Sequence, residues 1–329
     1  MSLLSKKMIE LTENETKYHS LNGKSILNFP LSVPVGISID TFLKDAFAKY
    51  RKLLCDEMID LDNSISEKDK NKACEDVSVV SSNIIDALDS YKKGKIKSAY
   101  NSIGYAMKKG VLKEIELDKD QDTTYYRMRS GLGHHEDIDF YHIPFDKLYL
   151  TDSYRFSMPG FPCLYIGYTE NVCKREIRKD GSIIQLNLKN LKNCNNTPLK
   201  LIDLTWFQSD KKDIIDFLVS WPLIAACYLL PNYCKSFEKV CDEINQKFKE
   251  QYIIPQLISA YIREEYKNVN GIRYYSTRYE NLDPQNTDYM NIALFANYDR
   301  KRLEEDKRIY DENITSDRFV FSNPHDVFI

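Results

Sequence analysis

The sequence predicts an α+β protein, an all-α helical bundle followed by a region of mixed strands and helices. Three observations carry this. Between residues 39 and 110, apolar side chains recur at three- and four-residue steps, the period of a helix with one buried face. Beyond about residue 116 come short runs rich in β-branched and aromatic residues: YYRMR, PCLYIGYT, SIIQLNL, LKLIDLTWF and IRYYST. They are flanked by Gly, Pro or Asp, as strands are. Helical patterns lie between those runs, so the second region mixes both kinds of element.

Residues 1–35 read as a polar lead-in that ends in Pro30 and Pro34. The first helix carries Phe42, Leu43, Phe47, Tyr50, Leu54 and Met58 on one face, with Asp40 or Thr41 placed to cap it. A second helix over about 73–91 turns Val77, Val80, Ile84, Ile85 and Leu88 inward. A third, with Ala99, Ile103, Tyr105 and Met107, ends near Gly110. Together they predict a bundle over 36–115 and a second domain over 116–329. Further helices are expected at 171–178, 211–230, 237–248 and 255–266. The apolar stretch 214–230 carries Asp216 and Pro222 and falls short of the ~20 residues a bilayer requires. It is expected to be a buried helix pair broken or kinked at Pro222, and no membrane partner is expected.

At 329 residues, 43% hydrophobic and 29% charged, the chain is neither disordered, collagen-like nor a disulfide-scaffold peptide. Lys+Arg 46 against Asp+Glu 49 leaves a net charge of -3, so no global field favours nucleic acid or an anionic membrane. Eight cysteines without a CxxC pair or a signal-like start read as reduced, mostly buried thiols of a cytoplasmic protein. The five histidines do not combine with cysteine at zinc-ligand spacing, so no metal is expected. Phosphate-binding loops, dinucleotide fingerprints, HExxH and GxSxG motifs are all missing.

What remains is a set of polar residues at strand-like positions in the second region: Arg127, Arg155, Tyr165, Glu176 and Ser276. An arginine in a hydrophobic strand is costly unless its guanidinium meets an anion. Two of them point to bidentate recognition of a diphosphate or carboxylate. The alternative is structural ion pairing with Glu176, Asp146 or Asp152. For Tyr165 the alternative is ordinary core packing.

The segments YYRMR, YHIPFDKLYLTDSYRFSMPGFPCLYIGYTENVCKREI, GIRYYSTR and NIALF, in that order, resemble a RES domain, the family named for its Arg, Glu and Ser residues. The resemblance covers about 126–176 and 255–297. Residues 36–115 resemble the HEPN-like helical domain often found ahead of such domains. The resemblance implies a fold related to ADP-ribosyltransferase toxins and an enzyme that cleaves NAD+ by hydrolysis or phosphorolysis. It implies a toxin or phage-defence effector, often silenced by a partner antitoxin, with NAD+ as substrate and no cofactor. Carried over residue by residue, it makes Glu176, Arg127 and Ser276 catalytic, with Arg127, Arg155, Tyr165 and Ser276 binding substrate. The arginines would take the pyrophosphate, Tyr165 would face the nicotinamide, and Glu176 would stabilise an oxocarbenium-like ribose. His134, His135, Tyr126 and Ser157 are the candidate pocket-lining residues, while His142 is expected to orient a loop.

Two departures stand out. Ser157 replaces the family's usual Asn two residues after the second arginine, and a hundred residues separate Glu176 from Ser276. ADP-ribosyl transfer to a protein or nucleic acid is the alternative reaction. An RNA-binding or interaction protein acting through the helical domain is the alternative class. Residues 36–115 contain no histidine, which argues against a catalytic R-x-x-x-x-H ribonuclease. The helical domain is instead expected to form a homodimer or higher oligomer, or to dock a regulator.

Overall fold

The computed structural model describes residues 20–21, 24–25, 29–55, 66–117, 123–189, 198–205, 214–231, 248–279, 286–305, 307 and 309–329. In chain order it begins with β1 (Ser20–Leu21), β2 (Lys24–Ser25), β3 (Leu31–Val33), α1 (Ile39–Leu53), α2 (Glu67–Lys92) and α3 (Ile96–Lys109). Then follow β4 (Lys113–Glu116), β5 (Thr124–Ser130), β6 (Cys163–Gly167), α4 (Glu170–Ile177), β7 (Gly181–Leu188) and β8 (Lys200–Asp203). The remainder is α5 (Ile214–Cys227), β9 (Leu229–Pro231), α6 (Ile253–Glu265), β10 (Val269–Tyr275), β11 (Met290–Phe295), α7 (Arg300–Glu305), β12 (Phe319–Phe321) and β13 (His325–Val327). N-terminal helices followed by a mixed sheet with helices make the chain α+β. It divides into two compact units, one of residues 1–112, 206–261 and 280–282, the other of 113–205, 262–279 and 283–329.

The first unit is helical. Phe42, Leu43, Phe47 and Tyr50 of α1, Val77, Val80, Ile84 and Leu88 of α2, and Ala99, Ile103 and Met107 of α3 are buried. Ser38, rather than Asp40 or Thr41, caps α1, its hydroxyl accepting from the Thr41 amide at 3.4 Å. Ser66 does the same for α2, which begins six residues before the apolar pattern does. Tyr105, expected inside, is 63% exposed, because it falls between the buried positions Ile103 and Met107.

This unit is not confined to 36–115, for 206–261 belongs to it as well. The reason lies in α5, which beyond Asp216 is apolar almost all round and is buried from Phe217 to Cys227. Trp221 is fully buried and stacks on Tyr50 with centroids 3.9 Å apart, and the Tyr50 hydroxyl donates to the Leu218 carbonyl at 2.8 Å. Pro222 lies inside this one helix and does not divide it into a pair. The lead-in is corrected too. Phe29, Leu31 and Val33 are buried, and β3 runs parallel to β9. The helix expected at 237–248 lies outside the described residues, Phe248 apart.

The second unit is built on a nine-stranded sheet, ordered β12-β7-β5-β6-β11-β10-β8-β4, with β13 also paired to β7. All pairings are antiparallel except β8 with β10. Side chains alternate between its faces. Tyr125, Leu164, Ile166, Ile184, Leu186, Ile292 and Leu294 join the larger core, whereas Met128, Val172, Cys173, Ile183 and Val327 form a smaller one that includes α4. The ladder is interrupted beside β5. That strand pairs with β7 over seven residues but meets β6 at the single pair Tyr126↔Gly167.

Candidate functional site

Where β5 and β6 part, Arg127 projects its guanidinium and donates from Nη1 to the Tyr165 carbonyl at 2.6 Å. Its Nη2 reaches the Tyr141 carbonyl at 3.4 Å. Its Nε is shut off from solvent and has no partner among the described residues. No carboxylate lies within ion-pair distance among those residues, so the expected alternative of a structural ion pair does not apply to Arg127. Burial and the neighbouring Arg129 cation bring its pKa down to about 9. Arg127 therefore remains a cation at neutral pH with only neutral oxygens around it.

Around this cation the other sequence-predicted residues fall into a connected set. Tyr165, on β6, shares a hydrogen bond of 2.9 Å between its hydroxyl and that of buried Ser157, and its ring lies 5.7 Å from that of Tyr154. Arg155, also buried, donates to Thr277 Oγ1 at 3.0 Å. Thr277 follows Ser276, which is fully buried just beyond the end of β10. The Ser276 amide donates to the Tyr289 carbonyl at 2.7 Å, and its Oγ accepts from the Arg278 amide at 3.1 Å. Arg278 Nε in turn stands 3.7 Å from one Glu176 carboxylate oxygen. The other Glu176 oxygen accepts from Asn291 Nδ2 at 3.0 Å. Asn291 sits opposite Gly167 in the β6–β11 register, which returns the set to the parting of β5 and β6.

α4 places Glu176 near its C-terminal end. Its start is fixed by Thr169, whose hydroxyl accepts from the Val172 amide at 3.3 Å, and its inner face is Val172 and Cys173. Gly167 admits that face, because a Cβ there would lie 2.5 Å from Val172 Cγ1. The Cys173 thiol is pushed up to about 12, chiefly by burial, and feels both the Arg127 cation and the Glu176 carboxylate. A thiol shifted this way stays protonated near neutral pH, unlike the thiolate that acts as a nucleophile.

Two of the candidate lining residues stand apart from this set. His134 is exposed. His135 folds back on its own loop, with Nε2 3.2 Å from the Gly131 carbonyl and Nδ1 3.7 Å from Asp139. Tyr126 lies on the face of β5 opposite Arg127 and packs against the Met128 and Cys173 cluster, on the side of α4, the helix that carries Glu176. Ser157 does join the set, through Tyr165. His142 is a positioning residue for its loop: Nε2 accepts from the Asp311 amide at 2.8 Å, leaving Nδ1 to donate to the Ile143 carbonyl at 2.7 Å. Burial lowers its pKa, which keeps it neutral.

Sequence reasoning missed Arg278, Thr277, Asn291 and Arg129. The first two follow Ser276 directly in YYSTR, and Arg129 follows Arg127 by two residues, the spacing that returns a strand to the same face. Asn291 carried no signal of its own. Among the described residues no group of His, Cys, Asp and Glu side chains could hold a metal ion, and no helix is long and apolar enough to cross a membrane.

Comparison with known proteins bears on the same stretch. A Bacillus subtilis (strain 168) protein named "Putative toxin YopC" is 27% identical over 192 residues, which cover 53% of this chain and 40% of that one. The chain thus spans well under two thirds of the length of this relative. No solved structure matches it significantly. Residues 124–316, more than half of the chain, match the RES domain. That span opens on β5 and takes in each of Arg127, Arg155, Tyr165, Glu176 and Ser276. The chain belongs to the RES domain family.

Proposed function

We propose that this protein is a toxin-class enzyme that destroys NAD+ by cleaving the bond between nicotinamide and ribose. The observation that supports it best is the half-buried Arg127 cation, held among the described residues by carbonyl oxygens alone where β5 and β6 part, with Glu176 in the same electrostatic neighbourhood. A cation without a counter-ion is a seat for an anion, and a carboxylate near it can face the positive charge that develops on a ribose.

In this reading the C1′–N bond breaks and its electron pair leaves with nicotinamide. Glu176 stabilises the oxocarbenium-like ribose, and an oxygen of water or phosphate then bonds to C1′. Hydrolysis gives nicotinamide, ADP-ribose and a proton; phosphorolysis gives the ADP-ribose phosphate ester. Arg127 and Arg155 hold the pyrophosphate, the Tyr165 ring faces the nicotinamide, and Ser276 hydrogen-bonds the amide or ribose. Asn291 and Arg278 position the Glu176 carboxylate. The name borne by the Bacillus subtilis relative is consistent with a toxin acting on cytoplasmic NAD+ and held in check by a partner antitoxin. We assign the helical unit, whose likeness to HEPN domains is part of this reading, to self-association or regulation.

The test is to incubate the purified protein with NAD+, with and without phosphate, and identify the products. Free nicotinamide is expected in both, with the rate falling about a hundredfold or more in Glu176→Ala. Undiminished turnover in Glu176→Ala would remove that residue from the mechanism. Label from NAD+ appearing on a macromolecule would assign the reaction to ADP-ribosyl transfer instead.

A further inference from the structure

Arg129 enters none of the roles above, yet its surroundings repeat those of Arg127. The two alternate with Tyr126 and Met128 along β5 and so share a face. Opposite them in β7 lie Ile184 and Ser182. The strands are pressed together at that end, since a Cβ on Gly181 would lie 1.9 Å from the Arg129 carbonyl oxygen. Arg129 Nη2 donates to the Tyr141 carbonyl at 3.2 Å, the same oxygen that Arg127 Nη2 reaches at 3.4 Å. That oxygen is held in place, because the next residue, His142, is locked through both ring nitrogens.

Arg129 Nε, like Arg127 Nε, is closed off from solvent with no acceptor among the described residues. Asp139 acts on Arg129 through space but is not within ion-pair distance among the described residues. Two guanidinium groups thus converge on one neutral oxygen, repelling each other and lacking a carboxylate between them. Such a pair is stable to the extent that a group with two negative charges bridges it, and planar forks of this kind match phosphate oxygens.

We propose that Arg129 and Arg127 form a two-arginine clamp for the diphosphate of a dinucleotide, with the Tyr141 carbonyl setting the distance between the forks. The inference rests on the NAD+ reading above and adds the residue that selects for the diphosphate. It predicts weak recognition of substrates that carry no phosphate.

Titration of the full chain with inorganic pyrophosphate tests it. Wild-type protein is expected to bind, Arg129→Gln to bind about tenfold or more weakly, and Arg129→Lys to fall between, having the charge but not the fork. In turnover, Arg129→Gln is expected to raise KM for NAD+ by a similar factor with kcat nearly retained, which loss of a purely structural contact would not do. Failure of the wild-type protein to bind pyrophosphate, or equal binding by a folded Arg129→Gln, overturns the clamp. The two readings separate cleanly. Arg129-dependent pyrophosphate binding without NAD+ cleavage sinks the reaction and keeps the clamp. NAD+ cleavage with unaltered KM in Arg129→Gln does the reverse.

Discussion

Arg127 on β5 and Arg273 on β10 are arginines of one sheet under opposite electrostatic conditions. Arg273 meets buried Asp203 as a fork, Nε to one carboxylate oxygen at 3.0 Å and Nη2 to the other at 2.5 Å. A further donor, Nη1, reaches the Tyr168 hydroxyl at 3.3 Å. Despite burial, these partners raise its pKa above the ordinary arginine value. Arg127 has carbonyls for partners, and its pKa is depressed. The lesson is that burial alone does not distinguish the structural arginine from the one we propose to bind substrate. The identity of the partner does.

Breaking each residue in turn sharpens this contrast. Arg273→Gln leaves the Asp203 carboxylate buried with, among the described residues, only the Thr205 amide and hydroxyl as donors, and is expected to cost about 3–5 kcal/mol of stability in chemical denaturation. Arg127→Met removes a half-buried cation and two hydrogen bonds to carbonyls. Its stability is expected to stay within about 1–2 kcal/mol of wild type, with a gain as acceptable as a loss. Tyr165→Phe loses the hydroxyl bonded to Ser157 but keeps the carbonyl that holds Arg127, for a cost of about 1 kcal/mol.

The pH dependence carries the same contrast with the sign reversed. Arg273 has a raised folded pKa, so its contribution is fully present below the ordinary arginine value and is lost only as pH rises through the higher one. Arg127 has a folded pKa near 9, so the cost of holding its charge is complete below that value and is relieved as pH climbs from there. Thermal unfolding of Arg127→Met against wild type should show a constant difference up to about pH 8 that drifts in favour of wild type above about pH 9. A difference independent of pH across that range would mean the Arg127 guanidinium is better solvated than its surroundings imply.

Much of this was legible in the sequence where a local pattern decides the outcome. The strand runs became β5, β6, β7, β8 and β10, and the helical repeats became α1, α2 and α3. The RES resemblance picked out residues 127, 155, 165, 176 and 276, each of which has hydrogen-bond or ion-pair contacts within this part of the fold. What escaped depended on long-range contact. Nothing local to 214–227 says that Trp221 will stack on Tyr50, 171 residues earlier, so the domain boundary could not be read. Leu31 and Val33 look like part of a polar lead-in until β9 supplies a partner. Asn291 is one more polar residue in an otherwise apolar strand until it meets Glu176. His134 and His135 lie near the arginines in sequence, yet His134 is exposed and His135 folds back on its own loop.

The central claim is that the uncompensated arginine, and not the paired one, serves NAD+. It is tested most directly by the rate of NAD+ loss, per folded molecule, in Arg127→Gln and Arg273→Gln side by side. The account predicts a fall of about a hundredfold or more in Arg127→Gln and a rate close to wild type in Arg273→Gln. Wild-type turnover in a folded Arg127→Gln would contradict it.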